Sequence, residues 1–89
     1  MQIVLTIVGK DKVGIIARVS ALLAENNINI LSINQTILEG YFTMVMLADM
    51  AQAKVSLRDL QQILQKEGEA IGVEIKAQHE DIFHAMHRI

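Results

Sequence analysis

Apolar positions along this chain follow two periods, and the switches between them mark its elements. From Ile3 to Val8 nearly every residue is β-branched or leucine, the pattern of a central strand covered on both faces. A turn through Gly9-Lys10-Asp11-Lys12-Val13-Gly14 follows. Ile15, Ile16, Val19, Leu22 and Leu23 then recur at the spacing of one buried helix face. The helix opens at Val13 or Gly14 and closes at Asn26-Asn27, since asparagine tolerates the left-handed conformation. A long second strand spans Ile28 to Leu38. Its phase shifts near Leu31, where Ile28 and Ile30 give way to Leu31, Ile33 and Ile37, as a one-residue bulge would produce.

Glu39-Gly40 reads as a two-residue hairpin turn. Tyr41 to Asp49 returns as a third strand, with Phe42, Met44 and Met46 on one face and Thr43, Val45 and Leu47 on the other. Ser56 with Asp59 three residues on forms a variant capping box. It starts a second helix with Leu57, Leu60, Ile63, Leu64 and Ile71 along its buried side. Gly68 within that helix is expected to cost about 1 kcal/mol relative to alanine and to loosen the last turn. Gly72 ends it. Val73, Ile75 and Ala77 alternate with Glu74, Lys76 and Gln78 in a half-exposed fourth strand. The remainder, His79 to Ile89, reads as a short helix with Ile82, Phe83, Met86 and Ile89 on one side.

The order β-α-β-β-α-β predicts an α+β fold, the ferredoxin-like sandwich: a four-stranded antiparallel sheet with two helices on one face, plus a short C-terminal helix. Strands one and three look apolar on both faces, and large bare apolar patches are uncommon on monomers. A second subunit, the C-terminal helix, or both are therefore expected to cover the other face, and the chain is expected to be a homodimer. Nothing in 89 residues suggests a linker or repeat, so residues 1–78 form one domain and 79–89 its C-terminal helical extension.

Composition narrows the function. Cysteine is absent and the net charge is −2, with Lys and Arg scattered. That leaves no disulfide framework and no electrostatic case for nucleic acid. The opening apolar run lacks a basic leader region and stops far short of a membrane span, so a cytoplasmic protein without membrane association is expected. An RNA-recognition sheet would carry stacking aromatics on its middle strands; here Tyr41 and Phe42 sit beside a hairpin turn. No Ser-His or Cys-His arrangement is evident, and no catalytic residue is assigned.

Among chemically capable groups, the turn after the first strand stands out. Strand, tight polar turn and helix N-terminus together present unpaired amides and partial positive charge to a small anion. Gly9 and Gly14 flank four residues, as in a phosphate loop. The Lys-Ser/Thr that should follow is replaced by Ile15-Ile16, which removes the phosphate and magnesium contacts. His79, Glu80, Asp81, His84 and His87 hold the chain's metal-ligand chemistry. On a helix Glu80, His84 and His87 share a face opposite Ile82, Met86 and Ile89, the polar side of an amphipathic helix, and no metal or other cofactor is assigned.

The turn Asp11-Lys12-Val13-Gly14-Ile15, the helix after it, and Asn27-Ile28-Asn29-Ile30 resemble the ACT domain, a small regulatory module of amino-acid metabolism. The resemblance runs through Gln78. It is nearest to free-standing bacterial single-ACT-domain proteins and extends to ACT-containing regulators of glycine cleavage. It implies a sheet order of 4-1-3-2 and dimers that set the first turn of one subunit near strand two of its neighbour. It further implies a non-catalytic module that binds a small molecule, an amino acid, and regulates a protein partner.

In amino-acid-binding members a polar residue of the turn and an asparagine opening the second strand grip the ligand, positions occupied here by Asp11 and Asn29. The amides after Gly14, beginning at Ile15, suit a carboxylate. Many serine-binding members carry an amide where Asp11 stands, so ligand identity does not transfer. Asp11 serves equally as a turn or helix-capping acid, and Asn29 as a strand-entry residue bonded to its own backbone. The alternative function is a pure dimerisation or protein-interaction module. Acylphosphatases share the element order but grip phosphate with an arginine in the first turn, where this chain has Lys10 and Lys12.

Overall fold

The computed structural model of the chain describes residues 1–10 and 13–81. Its elements are β1 (Gln2–Lys10), α1 (Ile15–Glu25), β2 (Asn29–Leu38), β3 (Tyr41–Asp49), α2 (Leu57–Ile71) and β4 (Val73–His79). The sheet order is β2-β3-β1-β4 with every pairing antiparallel, the ferredoxin-like arrangement expected. The helix expected over residues 79–89 falls largely on residues 82–89, outside the described residues; His79, expected to open it, ends β4 instead, because it pairs with Ile3 of β1.

Strand period 2 decides which side chains meet. Ile3, Leu5 and Ile7 of β1 lie opposite Ala48, Met46 and Met44 of β3, and Leu5 and Ile7 lie opposite Ala77 and Ile75 of β4. All of these are buried, in one cluster with Ile15, Val19 and Leu23 of α1 and Leu60 and Leu64 of α2. Both helices therefore cover the same face. No buried side-chain polar atom among the described residues lacks a hydrogen-bond partner.

Local signals hold where chemistry is local. The register of β2 on β3 slips between Ile30 and Ser32, so Leu31 is the extra residue of the expected bulge. Glu39 and Gly40 both take positive φ, 52° and 81°, which closes the hairpin with the twist its strands need. The Ser56 hydroxyl accepts the Asp59 amide at 3.1 Å, capping α2. Asn27 adopts φ 59° just past α1.

Three expectations are corrected by packing. Gly9 belongs to β1 rather than to the turn, and a Cβ there would lie 2.7 Å from Val73 Cγ1. Gly68 marks a close approach: an added Cβ would come within 2.6 Å of the Val73 carbonyl oxygen, and α2 continues to Ile71. Ile16, assigned by periodicity to the buried face of α1, is 36% exposed, because β2 at the sheet edge extends beyond the cover of α1.

Candidate functional site

β1 runs toward the corner that precedes α1, and Gly14 makes the turn into the helix. It is the N-cap residue at φ 91°, ψ 0°, a left-handed conformation that a side chain disfavours. Glycine brings no side chain to accept the amides of the first helical turn. Those of Ile15, Ile16 and Ala17 have no intrahelical partner by construction, while the Gly14 carbonyl already accepts the Arg18 amide at 2.9 Å. Ile15 contributes only this backbone group to the corner, since its side chain is buried in the core. Asp11 lies outside the described residues.

Beside the corner runs a groove of about 430 Å³, lined by Gly14, Ile15, Ile16, Ala17, Gln35, Ile37 and Phe42. Its floor and walls are apolar, its open end is the α1 N-terminus, and Gln35 supplies an amide that both donates and accepts. The groove arises from the bulge. By adding one residue at Leu31, it turns Ile33, Gln35 and Ile37 to the helix side of the sheet, opposite Met46, Met44 and Phe42. Helix α1 stops short of them, leaving Ile33 and Ile37 45% and 53% exposed. Sequence reading leaves Gln35 between lining a ligand and pairing across a dimer edge, favouring the edge, and does not place Ile37 and Phe42 in the site, although the phase shift at Leu31 is the signal that brings them there.

Asn29 is exposed at the opposite end of the molecule. It opens β2 across from Asp49, which pairs with Gln2 at the start of β1, whereas the corner follows Lys10 and Tyr41 at the other end. Eight strand residues separate those rows, about 27 Å. Within one subunit Asn29 and Gly14 cannot touch the same small molecule.

A larger recess of about 540 Å³ lies between α2 and β4, lined by residues that include Gln61, Gln65 and Glu69. There the chain closes on its own edge: Gln61 Nε2 donates to the Ala77 carbonyl at 2.7 Å, and Gly68 seats against the Val73 carbonyl. Edge β4 is thus blunted, as sheet edges commonly are, while β2, at the other edge, pairs with no further strand among the described residues. Among the described residues no group of three or more His, Cys, Asp or Glu is arranged to hold a metal ion; His84 and His87 lie outside them. No helix of the described residues is long and apolar enough to cross a membrane.

Comparison with known proteins agrees with this architecture. A family model described as the ACT domain matches residues 1–78. A UPF0237 protein of Clostridium perfringens is 52% identical over 89 residues, 100% of both chains. The solved structure of an ACT domain protein from Streptococcus pneumoniae superposes with a TM-score of 0.82 at 38% identity, covering 93% of each chain. The regulatory subunit of aspartate kinase from Thermus thermophilus shares the fold, with a TM-score of 0.66 at 23% identity over 86% of this chain and 50% of that one. With its strand order, its glycine-capped first helix and these matches taken together, the chain belongs to the ACT-domain family.

Proposed function

We propose that the chain is a non-catalytic, cytoplasmic regulatory module that binds an amino acid as a homodimer. In this reading the ligand lies between the β1–α1 corner of one subunit, with Asp11, Gly14 and the Ile15 amide, and Asn29 of the partner subunit. Its carboxylate faces the first-turn amides of α1, where helix geometry favours an anion. Its ammonium group faces Asp11, and its side chain enters the groove against Ile37 and Phe42. A regulated protein partner completes the proposal; a regulatory role is also the one named for the aspartate kinase subunit that shares the fold.

The observation that carries this reading is the separation of Gly14 and Asn29 along one sheet. Two copies of β2 paired antiparallel about the strand centre bring position 29 of one beside position 38 of the other. That is the row of Tyr41 and Lys10, next to the corner. The open edge for such a pairing is β2, with Ile33 and Ile37 uncovered beside it, whereas β4 is capped by Gln61.

Thermal unfolding against a panel of amino acids tests the proposal. One ligand at 100 times its Kd should add about 2.7 kcal/mol, and Asn29→Ala should remove most of that gain while remaining folded and dimeric. No stabilisation by any amino acid, with the dimer intact, would favour the pure dimerisation module. Equal stabilisation of Asn29→Ala would remove Asn29 from the site.

A further inference from the structure

The two faces of strand β2 carry different chemistry. Its register against β3 sets Ile30, Ile33, Gln35 and Ile37 opposite Ala48, Met46, Met44 and Phe42, on the helix side of the sheet. Ser32, Asn34 and Thr36 lie opposite Leu47, Val45 and Thr43, on the other side. Ile33 and Ile37 remain 45% and 53% exposed, and Ser32, Asn34 and Thr36 are exposed as well. This edge of the sheet therefore shows an apolar row on one face and a row of small polar side chains on the other.

Symmetry limits how such a strand can pair with its own copy. Residues directly opposite each other in an antiparallel pair share a face. When a two-fold axis relates the two strands, one residue faces itself, and positions equally far from it face each other. In an unbroken strand, position 29 could then face only odd-numbered positions, never 38. Leu31, the extra residue between Ile30 and Ser32, shifts the count by one. With Asn34 on the axis, Ile33 faces Gln35, Ser32 faces Thr36, Ile30 faces Ile37 and Asn29 faces position 38. In every pair taken from residues 30–37, like face meets like, and β2 is matched from end to end. Neighbouring registers lose this. With Ile33 on the axis, Ile37 faces Ile28, which precedes β2; with Gln35 there, Ile30 faces Glu39 of the hairpin turn.

We propose that β2 pairs with β2 of a second copy in the register that places Asn34 on the two-fold axis, so that the partner's Ile30 covers Ile37. Cross-strand pairs of Asn34 with Asn34 and of Ser32 with Thr36 then join the polar face, while the isoleucines join the helix side. Ile37 also lines the groove beside Gly14. The partner's Ile30 thus walls that groove where the sheet of one subunit ends, and the groove is closed only in the dimer. This inference rests on the homodimer reading above and adds its register and the residue that closes the site.

Single-cysteine variants of the full-length protein report the register, because the chain has no cysteine of its own. Opposed Cα atoms in an antiparallel pair stand about 4.5–5.5 Å apart, within the span of about 4.4–6.8 Å that a disulfide bridges. Under mild oxidation, Asn34→Cys should form a disulfide-linked dimer about tenfold faster than Ile33→Cys or Gln35→Cys. All three positions are exposed, so the variants should keep the fold. Faster crosslinking at position 33 or 35 would keep the homodimer and overturn the register. A dimer by light scattering in which no variant crosslinks overturns the β2 pairing, and a monomer overturns the homodimer reading with it. Ile37→Asp sets a carboxylate against the partner's Ile30 and should weaken dimerisation about tenfold or more; unchanged dimerisation contradicts the closing contact.

Discussion

Gly14 has room for a methyl group but not the backbone for one. Among the described residues nothing lies within 4 Å of where its Cβ would stand, yet its φ is 91°. Gly14→Ala should therefore cost about 1–2 kcal/mol through backbone strain alone, read as a lower urea midpoint with an unchanged slope. A change within experimental error would mean that the corner relaxes into an ordinary helical start. The glycine itself was legible in the sequence, because a polar turn entering an apolar-periodic helix needs a residue able to reverse the chain. Ile16 was not legible. Periodicity assigns it to the buried stripe, but whether a stripe position is covered depends on which strand lies beneath it, and β2 stands at the edge.

At the scale of elements, the bulge, the hairpin and the α2 cap were readable because each is decided by a few neighbouring residues. Contacts between distant elements were not. Gly68 shows the difference: helix propensity alone says that alanine should stabilise by about 1 kcal/mol. Packing reverses the sign, since the added Cβ would stand 2.6 Å from the Val73 carbonyl oxygen, which is backbone. Gly68→Ala should destabilise by about 1–3 kcal/mol in denaturant titration; a gain in stability would mean that α2 and β4 are less tightly apposed. A similar pairing ties the helices together. Arg18 Nε donates to Glu67 Oε1 at 2.8 Å across the α1–α2 seam. With Arg18 58% exposed, the contribution to stability is small.

For the whole molecule, element order was sufficient for the fold class, because βαββαβ with one two-residue hairpin leaves few compact antiparallel solutions. Strand order came from family resemblance rather than from periodicity. The candidate site was legible in half. Its glycine corner is a local signal, while the groove wall of Gln35, Ile37 and Phe42 depends on knowing that β2 is an uncovered edge. In the sequence Gly14 and Asn29 look like neighbours, fifteen positions apart. Helix α1 carries the chain back along the sheet, so in the fold they stand at its two ends. That separation supports the two-subunit site that the family resemblance implies.

The central claim is that the corner of one subunit meets Asn29 of another. It can be tested without a ligand, because the chain contains no cysteine. Val13 is fully exposed beside Gly14, so Val13→Cys together with Asn29→Cys places two thiols about 27 Å apart within a subunit. Antiparallel β2 pairing brings them together between subunits. Treated with a short thiol-reactive crosslinker at micromolar concentration, the double variant should run as a covalent dimer under denaturing conditions, and each single variant as a monomer. A double variant that stays monomeric, or single variants that crosslink equally well, would contradict the account.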